Sequence, residues 1–257
     1  MKTIPRNREK RRFAAQSALG PEQPVWLWGQ HAVEAAIANG DRVIQRCVAT
    51  ENAARRTGFD HFEIMDPKAL DKLLPPGAVH QGLAIKTMPL EPAALEDVIA
   101  GPDAPQRLCV LDQISDPHNL GAVFRSAAAF DVGGLVLQTR HTPPVTGVAA
   151  KAAAGAIEAV PEVRVVNIAR ALKQLADAGY HTIGLAGEGE ETIASAVKGA
   201  PRIAFVMGAE GSGLRPAVAR ACATHARIPM VPGMESLNVS NAAAIAFYEA
   251  MRETGAQ

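Results

Sequence analysis

Five side chains able to do chemistry, Asn119, Arg125, Glu210, Ser236 and Asn238, fall in three stretches that each follow a short apolar run. In the first, residues 112–126, Asp116-Pro117 breaks the chain and Asn119 is placed to start a helix. Leu120, Val123, Phe124 and Ala127 give that helix its buried face. Arg125 follows Phe124 by about 100° and is expected at the edge of the face, near the sheet. A guanidinium at the mouth of a strand-helix loop suits a phosphodiester, which it can hold with two parallel hydrogen bonds. The second stretch reads Met207-Gly208-Ala209-Glu210-Gly211-Ser212-Gly213-Leu214. Its glycine spacing is that of a phosphate-binding loop, but Leu214-Arg215 stands where Lys-Ser/Thr is needed, and the Glu210 carboxylate repels phosphate. A polar or cationic ligand fits it better. The third, Glu235-Ser236-Leu237-Asn238-Val239-Ser240-Asn241, follows Ile228-Pro229-Met230 and precedes an alanine-rich helical pattern. It gathers small polar side chains and backbone amides where a strand gives way to a helix, and open α/β sheets carry ligands there.

Plainer readings exist for each: a helix cap contributing about 1 kcal/mol, a surface arginine, a glycine turn. A fourth glycine-rich loop, Leu185-Ala186-Gly187-Glu188-Gly189-Glu190, serves equally well as a cofactor wall or a solvent loop. No metal-ligand spacing appears among the seven histidines, and the three cysteines (Cys47, Cys109, Cys222) have no C-x-x-C pattern. No Ser-His-Asp order or carboxylate pair is present either. The residues by themselves describe a small-molecule pocket beside a cationic group and leave the reaction open.

The elements that must position these loops follow from patterning. The 257 residues are 48% apolar and 20% charged, the composition of a soluble globular protein with a sizeable core. No run approaches the ~18 apolar residues of a membrane span, and no apolar segment of a secretory signal follows the basic start. Reduced packing cysteines and this lack of signals lead us to expect a cytoplasmic protein. Net charge is zero, yet residues 1–12 hold six Lys or Arg (Lys2, Arg6, Arg8, Lys10, Arg11, Arg12) against Glu9. Such a tail is either a solvated arm or a contact to phosphates.

Residues 25–88 alternate short strands and helices and form a small α/β domain; residues 89–106 are proline-rich and read as a linker. Residues 107–257 start a second alternation. Strands are expected at 107–111, 134–138, 163–166, 181–185, 202–207 and 226–228, and helices at 119–130, 145–157, 168–178, 215–221 and 241–252. Strands this apolar, separated by helices, imply a mostly parallel sheet covered on both faces.

Taken together, the three stretches resemble the motifs of the SpoU class of SPOUT RNA methyltransferases. Asn119, Gly121 and Arg125 match N-x-G-x-x-x-R. Gly208, Glu210, Gly211 and Gly213 match G-x-E-G-x-G after a strand. Ile228, Pro229, Met230, Ser236, Leu237, Asn238, Val239, Ser240 and Ala242 match the third motif. Residues 25–87, with Gly29-Gln30-His31-Ala32-Val33 and His80-Gln81-Gly82, are similar to the ribosomal-protein-like RNA-binding domain that many members carry. One departure is Ala153, in a segment where many relatives have serine.

The resemblance implies an α/β knot fold, with a mostly parallel sheet, a deep C-terminal trefoil knot and a small N-terminal α/β RNA-binding domain. It implies S-adenosyl-L-methionine as cofactor, held by Leu185, Ala186, Gly187, Gly208, Ala209, Glu210, Gly211, Ile228, Met230, Leu237 and Asn238. Asn119, Arg125, Glu210, Ser236 and Asn238 carry over as the catalytic set. The implied reaction is methylation of an RNA ribose 2′-hydroxyl, on a guanosine of the peptidyl-transferase P loop of 23S rRNA. The implied assembly is a homodimer whose last helix lies at the interface, with no membrane partner. Two rivals stay open: a tRNA ribose methyltransferase, and a catalytically silent RNA-binding protein.

Overall fold

The computed structural model describes residues 23–140, 142, 144–209, 211–234 and 236–253. The basic tail (residues 1–12) and Glu210 therefore lie outside the described residues.

The first unit runs β1 (Val25–Trp28), α1 (Gln30–Ala38), β2 (Ile44–Ala49), α2 (Glu51–Thr57), β3 (Glu63–Ile64), α3 (Pro67–Asp71) and β4 (Leu83–Thr87). Its sheet has the order β1-β4-β2-β3, with β4 antiparallel to both β1 and β2. Next come α4 (Leu95–Ile99), β5 (Arg107–Leu111), α5 (Pro117–Ala129), β6 (Leu135–Gln138), α6 (Gly147–Ala153), a 3-10 turn (Ala156–Glu158) and β7 (Glu162–Val165). The chain continues through α7 (Ile168–Asp177), β8 (His181–Leu185), β9 (Glu191–Thr192), α8 (Ile193–Ala196), β10 (Ile203–Met207), α9 (Pro216–Ala219), β11 (Thr224–Arg227) and α10 (Val239–Glu253).

These later strands form one seven-stranded sheet of order β7-β6-β5-β10-β8-β11-β9, parallel at every pairing. Side-chain alternation explains why both faces are covered. Leu108, Val110, Val136, Ala204 and Val206 point to one side, where they meet Leu172 and Leu175 of α7. Cys109, Leu111, Leu135, Leu137 and Phe205 point to the other, against Phe124 of α5 and Phe247 of α10. The Phe205 and Phe247 rings lie 5.8 Å apart.

Helix starts are chemically marked. The carboxylates of Asp66 and Asp116, the amide oxygen of Asn167 and the hydroxyl of Thr192 each accept from a first-turn backbone N–H. Pro67, Pro117 and Pro216 open three helices, where a missing N–H costs nothing.

The two units share a core. Leu27, Val33, Ala36, Leu83 and Ile85 belong to the same buried cluster as Leu111, Phe124, Ala150 and Ala153. Arg42 pairs with Glu158 at 2.7 Å, with the two side chains 2% and 9% exposed, and Asn39 donates to the same carboxylate at 2.7 Å. A Cβ on Gly147 would sit 2.0 Å from the Trp28 ring, so only glycine lets α6 approach β1 this closely.

Two expectations are corrected. The helix expected over 145–157 is broken: Ala154 (φ 50°) and Gly155 (φ 93°) are both left-handed and turn the chain into the 3-10 turn. The linker region also has structure of its own, because α4 buries Leu95 and Ala93 bridges to Val163 of β7.

Candidate active site

The strand order does for the site what no single segment can. Strands β5, β10, β8 and β11 are neighbours and parallel, so the loops leaving their C-terminal ends emerge side by side. Those loops contain Asn119, then Gly208, Ala209 and Gly211, then Leu185, Ala186 and Gly187, then Ile228, Met230, Ser236, Leu237 and Asn238.

Asn238 joins two of the motifs. Its side-chain nitrogen donates to Asn119 Oδ1 at 2.9 Å. Its Oδ1 accepts from Ser240 N at 2.9 Å and Ser240 Oγ at 2.6 Å, so the same residue caps α10. Capping and site-building are therefore two uses of one amide. Asn119 does not start its helix as expected. Asp116 holds that position, accepting from His118 N at 2.8 Å, and Asn119 lies in the first turn with its side chain reaching across to Asn238. Ser236 is exposed two residues before Asn238.

The glycine loops are shaped by close backbone crossings. Gly208 has no room for a side chain: its Cβ would lie 2.1 Å from the carbonyl carbon of Gly213. Ala209 and Gly213 form a bridge, with Gly213 N donating to Ala209 O at 2.9 Å. Gly211 and Gly213, by contrast, are left-handed (φ 80° and 65°) with open space beyond Cα, so their backbone is approachable by a ligand. In the neighbouring loop, Ala186 N donates to Ala226 O at 3.1 Å. Arg227 holds the carbonyls of Gly189 and Glu190 at 2.7 and 2.9 Å.

A group that sequence reasoning missed anchors the far end of the second loop. Asp112, fully buried at the end of β5, accepts from Arg215 Nε at 2.9 Å and from the Arg215 backbone N at 3.2 Å. Arg215 also donates to Gln138 Oε1 at 2.8 Å. The signal was present: Leu214-Arg215 occupies the place of the phosphate-loop lysine, and Asp112 ends an apolar strand. Only the pairing of β5 with β10 brings the two together.

Arg125 is placed differently from the expectation. It is exposed, and it lines a groove of about 530 Å³ with His31 of α1 and the turn at Ala154-Gly155. Six residues separate it from Asn119 on α5, about 9 Å along the axis and about 120° around it. A single chain thus sets the guanidinium on one side of α5 and the Asn119–Asn238 pair on another. Glu210 lies outside the described residues.

Thiol chemistry has no support here. Burial pushes the Cys109 and Cys47 thiols up, and burial together with the Asp112 charge pushes Cys222 up to about 12. Among the described residues no cluster of His, Cys, Asp and Glu has the arrangement of a metal site.

A parallel sheet with glycine loops and paired asparagines at its C-terminal edge is the arrangement in which α/β proteins carry ligand sites. Residues 106–248 match the SpoU rRNA Methylase family, and the chain belongs to that family. It is similar to the 23S rRNA (guanosine-2′-O-)-methyltransferase RlmB of Vibrio cholerae, at 39% identity over 224 residues, covering 86% of this chain and 89% of the relative. RlmB of Escherichia coli K12 is 40% identical over 180 residues, covering 69% and 73%. In fold, the chain resembles the SpoU methyltransferase AviRb of Streptomyces viridochromogenes in complex with AdoMet. The TM-score is 0.74 at 22% identity, covering 91% of each chain.

Proposed function

We propose that this protein methylates a ribose 2′-hydroxyl of RNA with S-adenosylmethionine as donor, its target being a guanosine in the peptidyl-transferase P loop of 23S rRNA. The observation that carries the reading is the Asn119–Asn238 hydrogen bond, which ties two family motifs together beside the open glycine loop. The donor set fits the cofactor. Backbone amides and carbonyls at Leu185, Ala186, Gly187, Gly208, Ala209, Gly211, Ile228, Met230 and Leu237 suit an adenosine and an amino-acid zwitterion. The amide of Asn238 adds a donor and an acceptor. Glu210 belongs to the same set by its place in the motif.

When bound, the cofactor supplies a methyl on a sulfonium, open to in-line attack by the ribose oxygen. Asn119 and Asn238 would hold the edge of the cofactor loops rigid through their hydrogen bond, and Ser236 would offer a hydroxyl at the rim. Arg125 receives the phosphate next to the target ribose. A guanidinium stays protonated in proteins, so the 2′-hydroxyl proton passes to that phosphate or to water while Arg125 fixes the geometry.

The residue 25–88 domain supplies further RNA contact, and the residue 107–257 domain carries the reaction. The family match and the likeness in fold to a SpoU methyltransferase support the trefoil knot. A homodimer is supported by α10, whose Ile245 and Tyr248 remain 39% and 50% exposed, near the exposed Val231 and Met234 in sequence. No helix among the described residues is long and apolar enough to cross a membrane; an rRNA substrate supports a cytoplasmic location.

Ribose-methylation mapping of ribosomal and transfer RNA from a strain lacking the protein tests the reading. Loss of one guanosine methylation in 23S rRNA is expected. An unchanged map overturns the function, and a loss confined to tRNA overturns the target.

A further inference from the structure

The groove beside Arg125 is built by both domains. His31 and Ala35 of α1 form one wall, Arg125 and Ala128 of α5 the other, and Ala153 to Ala156 lie between them. Its volume, about 530 Å³, falls within the ~300–1,000 Å³ of ligand-sized sites. Among the described residues, the titratable side chains lining it are His31 and Arg125, and no carboxylate lines it. Glu158, on the adjoining 3-10 turn, is taken up by Arg42 and Asn39. Among the described residues, the side chains of His31 and Arg125 make no hydrogen bond or ion pair. Two exposed donor side chains over a floor of alanine and glycine suit an anionic ligand.

The separation of the two side chains is set by backbone packing. Gly155 has φ 93°, and a Cβ there would lie 2.8 Å from Ala35 Cβ and 3.2 Å from the His31 carbonyl oxygen. The turn is therefore seated directly on α1. On its other side, a Cβ at Gly121 would lie 2.2 Å from the Ala149 carbonyl oxygen, so α5 and α6 are in backbone contact too. With the buried Arg42–Glu158 pair these contacts hold α1 at a fixed distance from α5.

We propose that His31 is a positioning residue for the RNA: it donates to a phosphate of the methylated strand, next to the phosphate that Arg125 takes. This rests on the methyltransferase reading above. The small domain then does more than capture RNA, because it places one contact in the groove of the catalytic arginine. The strand is held at two points that cannot drift apart, so His31 adds affinity for the RNA that is the same before and during methyl transfer.

The test uses the full-length protein and a transcript of the target rRNA region. His31→Ala should raise the KM for RNA about tenfold, the worth of one hydrogen bond to a charged group, and weaken filter-bound RNA to match. The kcat at saturating RNA and the affinity for S-adenosylmethionine should stay within about twofold, as expected for a contact that only binds. His31→Lys, which restores a donor to phosphate, should recover most of the loss. Equal RNA binding by wild type and His31→Ala overturns the proposal, and so does failure of His31→Lys to recover. A change in oligomeric state caused by His31→Ala also overturns it, since the groove would then belong to a second copy. Wild-type protein that binds RNA but transfers no methyl sinks the methyltransferase reading instead.

Discussion

The two sides of the site are made of different material. The donor side, formed by the loops after β8, β10 and β11, is mostly backbone, pressed so closely that Gly208 and Gly189 leave no space for a Cβ. The acceptor side, formed by His31 and Arg125, is exposed side chain on helices whose backbones are already satisfied. Shape on the donor side is thus inseparable from the fold, whereas the acceptor side can be altered without disturbing it. Changes to the first should cost stability and cofactor affinity together, and changes to the second should cost RNA affinity or turnover while leaving stability and cofactor affinity intact.

The largest effect is expected at Gly208→Ala. The new methyl would meet the backbone of Gly213 at 2.1 Å, so the loop must move and cofactor binding should be lost. Calorimetry with S-adenosylmethionine and a thermal melt should report both losses together; cofactor binding at wild-type strength would break the contrast. Next comes Arg125→Lys, which keeps the charge but not the planar fork. Turnover should fall about 100-fold, the scale of a small misplacement of reactants, with cofactor affinity and melting temperature unchanged. A coupled loss of stability in that variant would show that Arg125 belongs to the scaffold.

The smallest effect on turnover, and a clear one on stability, is expected for Arg215→Leu. It strands Asp112, which is 0% exposed, without its charge partner. Removing one member of a buried pair costs roughly 3–5 kcal/mol, and Arg215, 35% exposed, places this case near the lower figure. Urea unfolding measures the cost. Adding Asp112→Asn should recover part of it, because the stranded charge is then gone. Equal stability of wild type and Arg215→Leu would remove Asp112–Arg215 as the anchor of the donor loop.

Much of the fold could be read from patterning. Strands β5 and β8 have the bounds their apolar runs imply. Misreadings occurred where local preference was overridden. An alanine-rich pattern reads as one helix through residue 157, but the left-handed turn at Ala154-Gly155 ends it early so that the chain can seat against α1. The segment Glu191–Thr192 and α8 escaped notice because they are too short to carry a period. On α10, Ile245 and Tyr248 have helical spacing, yet the buried face is Val239, Ala243, Ala246, Phe247 and Ala250, since small residues let the helix approach the sheet.

By itself the sequence determined the material of the site: glycines where backbones cross, asparagines in or beside the first turn of a helix, and one arginine beside the buried stripe. These are short-range properties, legible because periodicity, capping and turn chemistry act over a few residues. Tertiary structure decided the neighbours. It set β10 between β5 and β8, joined Asn119 to Asn238 across 119 residues, and turned Arg125 toward His31 rather than toward the sheet. Strand order and interdomain packing depend on which buried surfaces fit one another, and that complementarity is a property of the folded chain as a whole.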